Sequence, residues 1–345
     1  MSRIPYDSKL YTKKVPVDKL KTGDILADDI YLKGGLLVVN AGCALTASHI
    51  ENLKKLRDKA VTLDMRQVYK KGVEASRTLF AKAAADKAIS KKEVEEFVQP
   101  FIDEMDREAS ITRLLNKLQS KDEYTFQHTI NIGVLSMMTG KWLGLKGQEL
   151  HKLILAGTLH DIGKSKIPVN ILNKPGPLTR DEYSLMKNHT IYGYELLEKS
   201  DQYDETVKLA VLQHHERIDG TGYPHKIRGK KIHEFSKIVA VADVYHAMTS
   251  RRVYKERITP LAALDYLNKN IDSLDTQVTL VFIEKMLSSL QSCQVVLSNN
   301  AVCDIIYIDR QNIARPLVKV RDSKIMIDLK TRDDVHIVDL IYNDD

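Results

Sequence analysis

Residues 214 to 224 read HHERIDGTGYP: two adjacent histidines, a charged run, then a loop holding two glycines, a tyrosine and a proline. Neighbouring side chains on a helix point about 100° apart, so one helical face cannot bury both imidazoles. A helix end could use both. Other histidines and aspartates stand in comparably apolar settings. His160 and Asp161 close the apolar run HKLILAGTLH and lead into IGK. His189 shares a helical face with Leu185, Met186 and Gly193, and His214 follows Val207, Ala210 and Val211 at helical spacing. Asp243 lies inside KIVAVADVYHAM, one turn from Val239 and from Ala247. His128, in YTFQHTINIGVL, has Ile132 one turn on and Leu135 two turns on.

A His-Asp or His-His pair alone says little in a chain with 11 histidines. The shared setting says more. An ionised or strongly polar side chain on a core-facing helical stripe is costly unless something compensates it, and a metal ion is one compensation. Imidazole and carboxylate ligands suit Fe, Mn or Zn rather than Mg or Ca. His128, His160, Asp161, His189, His214 and Asp243 are too many for one tetrahedral site. They suit a pair of metal ions sharing a bridging carboxylate, an arrangement used for in-line phosphoryl displacement.

The elements that must position these residues are mostly helices. Residues 121 to 293 carry most of the histidines. Helical patterns there run through HKLILAGTLH, LTRDEYSLMKNHTIYGYELLE as one helix, ETVKLAVLQHHE, FSKIVAVADVYHAMTS and PLAALDYLNKNI. Residues 67 to 120 are rich in Ala, Lys and Glu and predict two or three connecting helices, broken near Ile89–Ser90 and by Pro100. Residues 1 to 66 hold a small α/β unit. Its turn signals surround VPVDKLKTGDILADDIYL, GGLLVVNAG forms a hairpin arm, ASHIENLKKLRD is an amphipathic helix and AVTLDM is a closing strand. From 294 to 345 the pattern turns to β-branched alternation in VVLSNNAVCDIIYIDR, PLVKV, KIMIDL and VHIVDLIY, which predicts a small antiparallel sheet. The expected fold class is therefore mainly α, a helical bundle with a small α/β domain before it and a short β-rich segment after it.

Composition is that of a soluble globular chain, with 43% hydrophobic and 28% charged residues among 345. A formal net charge of +6 would help attract an anionic ligand and is too mild to imply a nucleic acid polymer as partner. The scattered cysteines, Cys43, Cys293 and Cys303, argue against a disulfide framework and for a reducing, cytoplasmic compartment. No signal-peptide core and no run of 18 apolar residues are present, so no membrane insertion is expected.

In order and spacing, YTFQH, LHDIGKSKIP, ILNKPGPLT, MKNHTIYG, LQHHERIDGTGYP and VADVYHAMTSRRVYK resemble the HD-GYP domain, a branch of the HD phosphohydrolase superfamily, from about Tyr124 to Tyr266. Residues 15 to 65 resemble a small domain of unknown function often fused ahead of it. The resemblance implies an all-helical HD-type bundle. It also implies a metal-dependent phosphodiesterase of bacterial second-messenger signalling that hydrolyses cyclic di-GMP to linear pGpG, with GMP as a further product left open, through attack of a metal-bridging hydroxide. Carried over by position, one metal ion takes His128, His160 and Asp243, the other takes His189, His214 and His215, and Asp161 bridges them. Two divalent transition metals are implied, Fe or Mn first, with Zn, Ni and Co open. Lys164 would reach the scissile phosphate or the bridging water, Tyr223 of the GYP triplet would pack against substrate, and Arg252 and Lys255 would hold phosphate oxygens.

This chain departs from the family pattern at two places. Some members have a glutamate four residues before the first histidine, which helps bind a third metal. Here that residue is Tyr124, so two metals are expected, and two-metal members are thought to stop more readily at pGpG. The aspartate usual in the DVYDA segment is His246, which leaves ligand support and plain packing both open for it. Other function classes stay in view: 3′,3′-cyclic GMP-AMP as the substrate, a weakly active dinucleotide-sensing module, and a di-iron oxygenase. The complete ligand set and GYP triplet weigh against the sensor, and Arg252 and Lys255 weigh against the oxygenase. Signalling proteins and a second copy of the chain remain open as partners.

Overall fold

The computed structural model describes residues 12–31, 37–55, 60–105, 124–250, 258–291 and 293–341. These residues divide into two compact units, the first running through Ala75 and the second from Ser76 onward. In the first unit, β1 (Thr12–Pro16) and β4 (Ala60–Asp64) form an antiparallel ladder in which Val15 faces Val61. A second antiparallel pair joins β2 (Ile30–Tyr31) to β3 (Leu37–Val39), the latter being the arm expected from GGLLVVNAG. Helix α1 (Ala47–Lys55) turns Ile50 and Leu53 inward, onto Val15, Val17, Leu20, Leu26, Val39 and Leu45. That apolar cluster is the unit's core.

Helices α2 (Met65–Ala84) and α3 (Lys91–Met105) are separated at the expected break around Ile89 and Ser90. Pro100 does not break its helix: α3 runs through it to Met105. A mid-helix proline loses one ladder bond and costs about 3 kcal/mol. Val94, Phe97, Val98 and Phe101 are all buried, and each fully buried side chain of this kind returns roughly 1.5–3 kcal/mol, enough to carry the helix past the proline.

The bundle that follows is built from α4 (Tyr124–Trp142), α5 (Gln148–Leu159), the short α6 (Val169–Leu172), α7 (Arg180–Lys187), α8 (His189–Glu198), α9 (Glu205–Gln213), α10 (Glu234–Thr249), α11 (Pro260–Lys269) and α12 (Thr276–Leu290). Its helix starts follow from local chemistry. Thr179 and Glu182 form a reciprocal capping box at α7, while Asp204, Thr259 and Asp275 cap α9, α11 and α12 with their side-chain oxygens. The core lies between α4, α5, α9 and α10, where Ile132, Leu135, Leu153, Leu155, Val211 and Val239 are buried.

One expected helix is two. The segment 178–198 breaks at Asn188, between α7 and α8. The backbone carbonyls at the break are engaged by side chains: His189 Nδ1 donates to the Met186 carbonyl at 2.7 Å, and the Thr190 hydroxyl donates to the Lys187 carbonyl at 3.1 Å. The α7 ladder therefore ends there, and α8 begins on His189 itself.

The C-terminal alternation forms one antiparallel sheet in the order β8-β7-β6-β5-β9, made of β5 (Gln294–Leu297), β6 (Val302–Tyr307), β7 (Leu317–Val320), β8 (Met326–Asp328) and β9 (Ile337–Ile341). Val295, Leu297, Cys303 and Val318 are buried on it. All three cysteines are free thiols. Among the described residues no helix is long and apolar enough to cross a membrane.

Candidate metal centre

Six helical segments deliver the candidate ligands, four of them at an end. His160 is the C-cap of α5 and His214 the C-cap of α9. His189 opens α8, and Asp161 follows His160 directly, at the head of a 3-10 turn over Ile162–Lys166. His128 and Asp243 come from within α4 and α10. Helix ends allow this convergence because the last carbonyls are free to accept. In each case the ring uses the carbonyl three residues back: His160 Nδ1 donates to Gly157 at 2.7 Å, His189 Nδ1 to Met186 at 2.7 Å and His214 Nδ1 to Val211 at 2.9 Å. With the proton on Nδ1, each Nε2 presents its lone pair inward, as a metal ligand must.

The structure gathers these groups into two adjoining sets. Asp161, His189, His214 and His215 form one, and His128, His160 and Asp243 the other, with the ligand atoms of each set within 4.8 Å of one another. Asp161 faces both. Its Oδ1 lies 3.3 Å from His189 Nε2, and its Oδ2 lies 3.3 Å from His160 Nε2 and 3.5 Å from His128 Nε2. Asp243 is placed similarly, with Oδ1 3.3 Å from His128 Nε2 and Oδ2 3.9 Å from His215 Nδ1.

The donor set fits divalent transition metals. Asp161 Oδ1 is buried and accepts no hydrogen bond among the described residues, a cost that a cation would remove. Burial opposes ionisation of Asp161, but the Lys164 ammonium at 2.5 Å and His160 outweigh it and hold the carboxyl well below its usual range. Asp243 is likewise buried yet held low, by the hydrogen bond and charge of His128 first. Burial, then the neighbouring imidazoles, push His214 and His215 well below the ordinary histidine range, so both are neutral near pH 7. His160 is raised despite burial because Asp161 and Asp243 draw positive charge toward it. The two buried carboxylates held ionised are the charge that a proton or a metal ion can meet.

The HHERIDGTGYP loop is built by its own side chains. Gly220 has φ +79°, and Gly222 runs so close to the preceding turn that a Cβ there would stand 2.4 Å from the His215 carbonyl oxygen. Asp219 accepts from Thr221, buried Glu216 accepts from the His225 amide at 2.7 Å, and Arg217 donates to the Glu216 carbonyl at 2.9 Å. The loop sets Tyr223 against the His215 ring, centroids 4.6 Å apart and planes 32° apart. Burial, then Tyr183 and the site carboxylates, push the Tyr223 phenol far up, so it remains a neutral hydroxyl. The Tyr223–Pro224 peptide is cis.

Of the other expected site residues, Lys164 is partly exposed and ion-paired with Asp161 Oδ2. Arg252 and Lys255 lie outside the described residues, as does the side chain of Tyr124, the first residue of α4. His246 is buried and lies on His128, Nδ1 to Nδ1 at 2.9 Å. Asn131 was missed. Its Nδ2 is 2.8 Å from His246 Nε2, and the amide is buried one helical turn after His128.

With this geometry in hand, residues 113–278 match the family described as "HD domain". This stretch is similar to HD domains. It contains the Gly222–Pro224 triplet on which the resemblance to the HD-GYP branch rests. Over 167 residues the chain is 41% identical to the cyclic di-GMP phosphodiesterase response regulator RpfG of Xanthomonas campestris pv. campestris, covering 48% of this chain and 44% of that protein. Over 172 residues it is 34% identical to the 3'3'-cGAMP-specific phosphodiesterase 1 of Vibrio cholerae serotype O1, covering 49% and 40% respectively. The chain therefore spans less than half the length of these two relatives. The solved structure of Bd1817, a HDG"Y"P protein from Bdellovibrio bacteriovorus, shares the fold: TM-score 0.52, 15% identity, 79% of this chain and 98% of that one.

Proposed function

We propose that this chain is a metal-dependent phosphodiesterase that hydrolyses cyclic di-GMP to linear pGpG. The observation that supports this most is the Asp161 carboxylate, with one oxygen beside His189 and the other beside His128 and His160. A carboxylate so placed suits a bridge between two cations. We assign His128, His160 and Asp243 to one ion, His189, His214 and His215 to the other, and iron or manganese as the metal. Bound there, two divalent cations would acidify a shared water and take charge from a phosphoryl oxygen.

The chain's own groups do the remaining work in this reading. Lys164 holds Asp161 ionised and offers positive charge at the edge of the pocket, where a phosphate oxygen can meet it. Tyr223 walls the site above His215 and supplies a neutral hydroxyl. Arg252 and Lys255 are assigned to the remaining phosphate oxygens from their spacing after Asp243, and arginine can grip two at once. Water adds to phosphorus, the bond to the ribose 3′-oxygen breaks, and the linear dinucleotide leaves. The division into residues 1–66, 67–120, 121–293 and 294–345, and a cytoplasmic location, belong to the same proposal; three free thiols support the latter.

The Vibrio cholerae relative's specificity favours a second reading, 3′,3′-cyclic GMP-AMP as the substrate. A product time course on iron- or manganese-loaded protein, with the two dinucleotides side by side, tests both. Faster conversion of cyclic di-GMP, with pGpG accumulating, is expected. Faster loss of cyclic GMP-AMP would transfer the assignment, and turnover of neither would overturn the enzymatic reading.

A further inference from the structure

The buried pair His128 and His246 carries an inference beyond the ligand set, resting on the metal-centre reading above. Three of the ligand histidines hold Nδ1–H on a backbone carbonyl. His128 instead has the His246 imidazole at that nitrogen, 2.9 Å from Nδ1 to Nδ1. His246 Nε2 in turn faces the Asn131 side-chain amide at 2.8 Å, and Ser250 Oγ lies 3.0 Å from the same nitrogen and 3.2 Å from Nδ1. His128, Asn131 and His246 are all nearly inaccessible, 4%, 2% and 6% exposed, so their hydrogen-bond roles are mutually constrained.

Two proton arrangements are compatible with this chain. In the first, Asn131 Nδ2 donates to His246 Nε2, His246 Nδ1–H donates to His128 Nδ1, and the His128 proton sits on Nε2, toward Asp161 Oδ2 and Asp243 Oδ1 at 3.5 and 3.3 Å. The other atom of the Asn131 amide, Oδ1 as placed, has no hydrogen-bond partner among the described residues, so it does not hold the amide in either orientation. In the second, the amide of Asn131 is turned over. Its Oδ1 then accepts from His246 Nε2–H, His246 Nδ1 accepts from His128 Nδ1–H, and His128 Nε2 carries a lone pair. Side-chain amide oxygen and nitrogen exchange places without any change of shape, so the same packing accommodates both. A metal ion can bind His128 Nε2 only in the second. The conversion balances: His128 Nε2 gives up one proton to solvent, one proton crosses from His246 Nδ1 to His128 Nδ1, and His246 Nε2 gains one from solvent.

We propose that His246, oriented by Asn131, is the positioning residue that fixes the tautomer of His128 and so sets the affinity of the ion held by His128, His160 and Asp243. An imidazole here does the work that a carboxylate does in other metal-binding histidine pairs, as a neutral acceptor.

The test is a titration of metal-free protein with Zn²⁺, reading stoichiometry and affinity for wild type, His246→Leu, His246→Asp and Asn131→Leu. Long-range ¹H–¹⁵N spectra of the histidine rings are recorded on the wild type and unfolding curves on all four. Wild type should take two ions and show His128 protonated at Nδ1 and His246 at Nε2 when loaded. In His246→Leu one of the two ions should bind about 10–100-fold more weakly, the usual cost of removing a ligand's hydrogen-bond partner. His246→Asp should restore it, because a carboxylate accepts from Nδ1–H, and Asn131→Leu should weaken the same ion. Two ions in wild type with unchanged binding in a folded His246→Leu would overturn this inference alone. So would His246→Asp binding as weakly as His246→Leu, or a loaded wild type with His246 protonated at Nδ1. Wild type taking up no ion would overturn the metal centre, and this inference with it.

Discussion

Gly163 lies directly against the backbone of His189: a Cβ on Gly163 would stand 1.9 Å from the His189 carbonyl oxygen and 2.4 Å from the Gly193 amide nitrogen. The 3-10 turn that carries Asp161 into the site therefore touches the first turn of α8 backbone to backbone, and the distance between Asp161 and His189 depends on it. Gly163→Ala must push the two segments apart. Overpacking of this kind costs about 1–3 kcal/mol. The expected result is a lower Tm together with weakened binding of the ion assigned to His189, His214 and His215. Calorimetry and metal analysis on the same preparation check it, and a variant with unchanged Tm and full metal content would contradict this packing account.

Tyr223 and His215 share a tilted ring contact but have separable roles. Tyr223→Ala removes no ligand and should keep both ions, while kcat/KM falls about 10-fold or more through loss of an aromatic surface for a base, worth about 1–3 kcal/mol. His215→Ala should lose metal. Metal content measured beside steady-state kinetics distinguishes the two, and loss of metal from Tyr223→Ala would show that the ring acts chiefly on His215.

Asp204 caps α9, the helix that ends at His214, by accepting from the Thr206 amide and hydroxyl, and it also meets Lys152 at 3.1 Å. Those hydrogen bonds, the Thr206 ones first, lower its carboxyl from 3.8 to about 2. A depressed folded-state value means the stabilisation is fully present above the unfolded value and is lost as pH falls from about 4 toward about 2. Asp204→Ala should cost about 1 kcal/mol near neutrality, a typical cap contribution, since the partly exposed Lys152 pair adds little. Urea unfolding of both proteins near pH 7 and near pH 3 should show the gap narrowing at the lower pH. A gap that stays constant or widens would contradict the assignment.

The residues that cluster at the candidate site were legible in the sequence because titratable groups stood on otherwise apolar helical stripes: His189 with Met186 and Gly193, Asp243 between Val239 and Ala247. Residue type and periodicity carry that information. The carbonyls of Gly157, Met186 and Val211 that fix three of the rings were not legible, since any residue offers a carbonyl and only the helix end frees it. The break at Asn188 was hidden for the same reason, because side chains engage the carbonyls there without any proline or glycine to announce it. Pro100 misled in the other direction, as the burial of Phe97, Val98 and Phe101 outweighs a local breaker. Asn131 drew no notice because a lone amide has no motif; its meaning lies in His246, over a hundred positions away in the chain.

The central claim is a pair of ions joined through Asp161. Electron paramagnetic resonance of metal-free protein titrated with Mn²⁺ tests it most directly. The account predicts two ions per chain and, at saturation, the spectrum of an exchange-coupled pair, which reverts to uncoupled Mn²⁺ in Asp161→Ala. A single bound ion, or two ions with no coupling in the wild type, would contradict it.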